Sequence, residues 1–585
     1  MSRVSLADNA KLSWLLLRGG VRRAAGRLNG HPLLRWPLPQ FRADRLLIAP
    51  QYLRTADATR ATEIYAGRFA FAGKVVICDG RSPFEMEPPS EEWAEELFGF
   101  GWLRHLRAAE SGITRANARA LVDEWITLQA MGDSTAWRTD VVARRIISWL
   151  TQAPLVLHEV DTKFYRRFLR NLTRLGRYLR GTLGAARDGL PRLQGIIALT
   201  YASLCMRGQM RTAKGATRRL VHELDRQILP DGGHISRNPG VLIELLLDLL
   251  PLRQAYASNN IPPPPALLNA IDRMMPMLRF FRHGDGNFAL FNGMGPTSAD
   301  LLAAVLYYDD ARGTPVANAP HSGYQRLQAQ TTVMLADTGT PPPIGVSQEA
   351  HAGCLSFELS SKQHRIVINC GLPATNRASW RHVARGTAAH STVTVNETTS
   401  CRFLSARFLR RLLGTPIIAG PTEVPVAREE RADGVVLRAS HDGYAGPFGI
   451  LHQRTWRLSP DGRSLDGEDV FAPASGDKLP GGGRDEFAVR FHLHPAVKAS
   501  RLTDGHGAML VLPNREVWTL EAYEDPVTLE ESVYLAGSEG PRRTVQLVIH
   551  GRARNVPRVR WTFTQVDPAA PAVRRDATYE PELPL

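Results

Sequence analysis

Two histidines, His351 and His390, stand at the borders of short strand-like runs, and between them lie Asn369 and a cluster of Arg377, Trp380, Arg381 and Arg385. An imidazole exchanges a proton near neutral pH, a guanidinium fork binds carboxylate or sulfate, and an indole face stacks on a sugar ring. Together these groups suit proton transfer on an anionic, ring-shaped substrate. Each has a plainer use as well. A histidine in a β protein is commonly a hydrogen-bonded or surface residue, and the Arg/Trp run reads equally as a solvated basic loop with a Trp anchor. A second group, Asp231-Gly-Gly-His234-Ile-Ser-Arg237-Asn238-Pro, sets a His, an Arg and an Asn on a turn entering a helix, where the N-terminal dipole adds positive potential. The same residues serve as an ordinary turn and N-cap, with Asn238 capping a Pro-started helix.

Two textures of sequence must position these residues. Between about Glu91 and Tyr308 apolar residues recur at spacings of three and four, as in Phe164, Phe168, Leu172, Leu175 and Leu179, or Leu267, Ile271, Met274, Leu278 and Phe281. Gly184, Pro191, Gly208, Pro230-Asp-Gly-Gly233, Pro251 and Pro262 to Pro265 punctuate them, so successive helices pack as antiparallel hairpins in a curved or closed α/α layer. Beyond Gln330 the segments become strand-sized and β-branched: Thr331 to Asp337, Cys354 to Ser360, His364 to Cys370, Ser391 to Asn396, Val435 to Ser440, Leu451 to Leu458, Glu486 to Leu493, Val517 to Tyr523, Thr544 to His550 and Arg558 to Val566. They predict an antiparallel sandwich. In Glu486 to Leu493 the apolar residues face its core, leaving Arg490, His492 and His494 on an opposite, solvated face. The expected organisation is a basic N-terminal segment over 1–80, with Arg68 to Asp79 alternating like a strand or two, a helical domain over 81–320 and a β-sandwich over 325–585.

The 585 residues exceed what one core supports, and 72 Lys plus Arg against 57 Asp plus Glu give a net charge of +15. That balance favours polyanions: nucleic acid, anionic lipid or acidic polysaccharide. No Walker loop, HExxH, GxSxG elbow or RNP-type aromatic stripe accompanies the charge, so nucleic-acid binding rests on charge alone. Five scattered cysteines without CxxC spacing read as buried free thiols. No run is apolar enough to cross a membrane and no secretory leader is legible; Lys11 to Arg27 reads as a docked surface helix or one lying on a membrane surface.

An all-helical half before an all-β half, with His351 in AHAGCLSF, Asn369 in INCG, His390 in TAAHSTVTVN and the phrase Phe288-Ala-Leu-Phe-Asn-Gly293, resembles the heparinase II/III-like polysaccharide lyases. The resemblance implies an incomplete (α/α) toroid of helical hairpins joined to an antiparallel β-sandwich. It also implies β-elimination on a uronate-containing or glycosaminoglycan-like anionic polysaccharide. In that reaction a base takes the proton α to the carboxylate, a cation or metal neutralises the carboxylate, and an acid protonates the leaving oxygen. His390 and His351 match family positions. In some members these two bind zinc with an Asp, whose place is held here by Asn369, a poor zinc ligand, so no cofactor is assigned with certainty. The family's Tyr-His phrase after the Asp-Gly turn is replaced by Val241 and Leu242, and Gln194-Gly195 precedes a helix containing Tyr201 where the family has Asn.

The resemblance thus assigns catalysis to His390, His351, His234 and Tyr201, with Tyr324 as a further tyrosine to locate. It assigns substrate binding to Arg237, Asn238, Arg377, Trp380, Arg381 and Arg385, and a possible metal to His351, Asn369 and His390. It implies a bacterial cell-envelope or periplasmic location, while the missing leader leaves the cytoplasm open. The loss of the tyrosine and of the zinc Asp supports a second expectation, a catalytically weak or inactive relative that binds an anionic glycan during its synthesis or export.

Overall fold

The computed structural model describes residues 43–566 except 129–134, 310–312, 376, 477 and 480–482, together with Gly20. The Lys11 to Arg27 stretch, Gly20 apart, lies outside the described residues. An inner series of helices, Glu91–Gly99, Thr139–Thr151, Leu190–Cys205, Gly240–Ser258 and Ala299–Leu306, packs each on the next. An outer series, Gly112–Leu128, Thr162–Thr182, Met210–Gln227 and Pro265–Phe280, backs it. Sequence separates the two. Every residue from Gly195 to Cys205 and from Leu245 to Leu252 is buried, as an apolar-all-round helix requires, whereas Thr162–Thr182 buries a single stripe through Phe168, Leu172, Leu175 and Leu179. Side chains close the helix starts: Ser90 accepts from the Trp93 amide at 3.3 Å, and Asp161 from that of Phe164 at 2.6 Å.

The described part of 1–80 is built into this layer. The Arg68–Phe71 and Lys74–Ile77 strands pair antiparallel, and Phe69 and Phe71 pack on Trp102 and Trp93. Arg54 reaches Asp248 on an inner helix at 2.7 Å.

Two antiparallel sheets follow. The eight-stranded sheet runs in the order Val426–Arg431, Gly434–His441, Ile450–Leu458, Ser464–Pro473, Arg558–Val566, Val517–Ala522, Gly507–Val511, Lys498–Arg501. The nine-stranded sheet runs Val527–Tyr534, Arg542–Arg552, Glu486–Leu493, His364–Ile368, Phe357–Ser361, Thr332–Asp337, Tyr324–Ala329, Asn318–Ala319, with Val393–Val395 also paired to Glu486–Leu493. Between the sheets lies a core of Phe357, Trp456, Phe491, Trp518, Trp561 and Phe563. The other face of the nine-stranded sheet belongs to the helical core: Tyr324, Val333, Leu335 and Ile368 cluster with the toroid's own apolar residues. The fold is a toroid seated on one face of a sandwich.

This double coverage corrects two sequence expectations. The second face of Glu486–Leu493 is not solvated, since Arg490 and His492 are 6% and 3% exposed. The cluster from Arg377 to Arg385 is a helix, not a loop, and carries Trp380 against Cys370, Leu372, Ala384 and Leu535. All five cysteines are buried and unbridged, as their scatter implies.

One ion pair ties toroid to sheet. Arg237, at φ 62° on the turn before Gly240–Ser258, donates from Nη2 to Asp337 Oδ1 at 2.5 Å, and both side chains are almost wholly buried. Asp337→Ala would strand the Arg237 cation without a counter-charge, and a loss of about 3–5 kcal/mol in chemical denaturation is expected. The double variant Arg237→Met/Asp337→Ala should recover part of that loss, because it removes the unpaired buried charge along with the pair.

Candidate functional site

His351 and His390 meet beneath the seam. His390 closes the Thr387–Ala389 turn ahead of Val393–Val395, and His351 lies in the segment leading to Phe357–Ser361. Their exposures are 1% and 4% for His390 and His351. His351 Nδ1 lies 2.9 Å from His390 Nε2, and His390 Nδ1 lies 2.8 Å from the Gly386 carbonyl oxygen. A carbonyl only accepts, so His390 carries its proton on Nδ1 and its Nε2 is bare. His351 Nδ1 therefore donates to it. His351 Nε2 is left as a buried lone pair with no hydrogen-bond partner. Burial holds both rings below the ordinary histidine range, His351 well below it, with the neighbouring His390 adding to the effect.

A relay of polar groups supports the pair from the toroid. Asn292, from the Phe288 to Gly293 phrase, accepts the His351 amide at 3.1 Å and donates to Asp337 Oδ2 at 2.9 Å and to the Tyr324 hydroxyl at 2.7 Å. Tyr324 in turn donates to the Arg237 carbonyl at 2.5 Å. On the sandwich side Arg454, held to Asp469 at 2.6 and 3.0 Å, donates to the carbonyls of Leu355 and Ser391, each at 3.0 Å. The loops that carry the two histidines are clamped from both layers.

The other expected residues are placed as follows. Asn369 does not face the histidines. Its amide donates to Glu358 Oε1 at 3.2 Å and accepts the Ser391 amide at 3.0 Å. Arg237 uses all five N–H donors internally, on Ser322, Gly323, Gly339, Thr340 and Asp337. Arg385 likewise donates to the carbonyls of Ala350, Thr415 and Ser347 and stacks on Phe403. Asn238 accepts the Gly240 amide at 2.9 Å, closing the turn that leads into the helix. His234 is buried between Gln227 and Ser236, and burial lowers it to about 3. Tyr201 donates to the Asp248 carbonyl at 2.7 Å inside the helical core. Of the cationic cluster, Arg377 and Arg381 remain near the surface beside Trp380, with Arg381 paired to Glu349 at 3.2 Å.

The donor set does not fit zinc. Two nitrogens on one tetrahedral zinc stand roughly 3.3 Å apart with about 2.05 Å to the metal, whereas here the facing nitrogens share a proton at 2.9 Å. Asn369's amide is engaged elsewhere, and among the described residues no group of three or more His, Cys, Asp or Glu could hold a metal ion.

The sequence reading missed Asn292, Asp337 and Glu358. Glu358 is wholly buried and gathers the amides of Leu290 and Asn369 at 3.0 and 2.9 Å and His283 Nε2 at 3.0 Å. The available signal was a carboxylate set inside the apolar run Leu355 to Leu359.

Several histidines are thus folded in a neutral form. Their folded values lie below the unfolded one, so the unfolded chain binds more protons as pH falls from about 6.5. Stability is fully present above that pH and is lost on acidification toward the folded values, about 3 for both His234 and His492. The melting temperature should hold steady from pH 8 to pH 7 and fall progressively between pH 6.5 and pH 4. His234→Gln, keeping a polar contact without a titrating ring, should make the decline shallower.

The profile described as heparinase II/III-like, C-terminal, matches residues 311–562. FtsZ-localized protein C of Caulobacter vibrioides is 31% identical over 574 residues, covering 94% of this chain and 97% of that protein. A heparinase III structure superposes with a TM-score of 0.69 at 14% identity, over 96% of this chain and 92% of its own. A mutant heparan sulfate lyase from Pedobacter heparinus superposes at 0.60 with 16% identity, over 95% and 91%. With a relative matched along nearly its whole length and the toroid–sandwich fold in place, the chain belongs to the heparinase II/III-like family.

Proposed function

We propose that this protein acts by association with FtsZ assemblies, using the heparinase fold as a rigid scaffold, and does not cleave glycans. The observation that carries this reading is the seal over the histidine pair. β-Elimination needs a base that touches the substrate carbon and a cation free to meet its carboxylate. Here both imidazoles are buried and hydrogen-bonded to one another, and the Arg237 guanidinium is saturated by its own chain. Val241 and Leu242, at 8% and 1% exposure, fill the positions where the resemblance expects Tyr and His. Support from outside the chain is the nearly full-length likeness to a protein named for its FtsZ localisation. On this reading the chain works where FtsZ does, on the cytoplasmic side, in place of the periplasmic role that the lyase resemblance suggests.

A lyase reading has one specific observation in its favour, the bare Nε2 of His351, an acceptor without a donor. In that reading Trp380, Arg377 and Arg381 would meet an acidic glycan on the surface helix beside it.

Co-sedimentation with FtsZ filaments, together with ultraviolet absorbance of unsaturated uronate on a panel of acidic polysaccharides, separates the two. The expected outcome is pelleting with filaments, unchanged in His351→Ala, and no uronate signal on any glycan. A uronate signal from the native protein that vanishes in His351→Ala, with no pelleting, would overturn the proposal.

A further inference from the structure

Away from the histidine pair, the toroid and the nine-stranded sheet border an open surface depression. Three turns meet there: the Arg282-His283-Gly284 exit from Pro265–Phe280, the hairpin turn at Gln330 and Thr331, and the hairpin turn at Lys362. A cavity of about 420 Å³ lies between them, within the size range of small-molecule sites. Gly284 sets its floor. A Cβ there would sit 1.6 Å from the Lys362 carbonyl oxygen, so only glycine lets the helical exit rest on the hairpin. The walls are stiff because the turns are closed by main-chain bonds, such as Lys362 N to Thr331 O at 3.0 Å.

The charge of this cavity is one-sided. Arg279, Arg282, Arg326 and Lys362 line it, and among the described residues no carboxylate does. Two of these cations are balanced from behind: Arg279 pairs with Asp309, and Lys362 with Glu516 at 3.1 Å. Arg282 and Arg326 make no ion pair among the described residues. Arg326 is 6% exposed, and its bonds go to neutral acceptors, the Phe280 and Arg282 carbonyls at 2.9 and 2.8 Å and Gln328 Oε1 at 2.9 Å. Burial without a counter-charge lowers its guanidinium to about 10. Arg282 donates from Nε to Gly286 O at 3.3 Å, and among the described residues its two terminal nitrogens have no hydrogen-bond partner.

A desolvated cation held by carbonyls is costly unless something anionic completes it. Guanidinium forks match phosphate oxygens in pairs. Pro315 and Val333 on the remaining wall offer contact to an uncharged portion of a ligand. We propose that this cavity is a binding site for a small molecule bearing one or more phosphates, with the Arg282 fork gripping the phosphate, the buried Arg326 charge, whose N–H groups are nearly all engaged, adding positive potential, and the apolar wall meeting the organic part. The site is separate from the histidine pair and independent of whether that pair performs chemistry.

Isothermal titration of the full chain with inorganic pyrophosphate and with ADP, at physiological ionic strength, tests it. Sulfate and citrate serve as competing anions, and Arg282→Gln, Arg326→Gln and the exposed Arg558→Gln as variants. Binding by pyrophosphate or ADP that weakens at least tenfold in Arg282→Gln and holds in Arg558→Gln is the expected result. Arg282 is half-buried and joins no core network, so that variant carries the test even if Arg326→Gln fails to fold. No binding at millimolar concentration, equal affinity for citrate or sulfate, or affinity unchanged in Arg282→Gln would each overturn the assignment.

Discussion

The Arg237–Asp337 pair is the constraint on which the rest of the molecule leans. A carboxylate taken out of water at the seam of two layers is tolerated only with a full set of donors. Asp337 receives Arg237 on one oxygen and Asn292 on the other. Meeting that demand fixes three elements at once. Arg237 must leave the turn at positive φ to reach across, with Tyr324 under its guanidinium at 4.7 Å, and Asn292 must hold φ 46° to bridge to the His351 amide. The order of the seam descends from one ion pair, and the histidine loop is its last beneficiary.

The sandwich repeats the device on its other side. Asp469, wholly buried, collects Arg454, His452 and the Trp561 indole N–H at 2.9 Å, and the Arg454 and His452 contacts hold its carboxyl far below the usual range against the opposing effect of burial. Arg454 then reaches the carbonyls on either side of the histidine loops. Two carboxylate hubs, one per layer, therefore immobilise the same short stretch of backbone. Such networks contribute little net stability compared with apolar packing, but they admit one arrangement only. What they specify here is the relative position of His351 and His390.

The order of textures was legible, and so were most strand positions, because period-two and period-3.6 patterning respond to burial on one face. Glu486–Leu493 and Arg558–Val566 were read to the residue. Where both faces are covered the pattern fails. Tyr324–Ala329 reads as polar YQRLQA, yet its first four residues are buried, since the toroid takes the face that sequence alone would give to water. The burial of Glu358 and Arg490 went unread because alternation marks one face of a strand as apolar and says nothing of what covers the other. The edge strand Val426–Arg431, mostly charged and exposed, carries no alternation to detect, and charge on an edge protects it from stray pairing. At the site, His351 and His390 could be chosen from residue type and local context. The exhaustion of Arg237 and Arg385 on backbone carbonyls could not, because a guanidinium looks the same in sequence whether it holds a ligand or its own chain.

That last distinction bears on how a catalytic fold loses or keeps its chemistry. An active site holds groups whose hydrogen-bonding capacity is completed by substrate, and it tolerates strain and unsatisfied atoms until substrate arrives. Along this seam nearly every group is already complete: five donors on Arg237, four contacts on Glu358, both nitrogens of His390. Completion of this kind rigidifies. On the reading proposed above, the seam acts as a joint, and recognition falls to surfaces outside it. Arg282 differs from Arg237 in this respect, because its terminal nitrogens meet no hydrogen-bond acceptor among the described residues and lie at a depression that a ligand can fill.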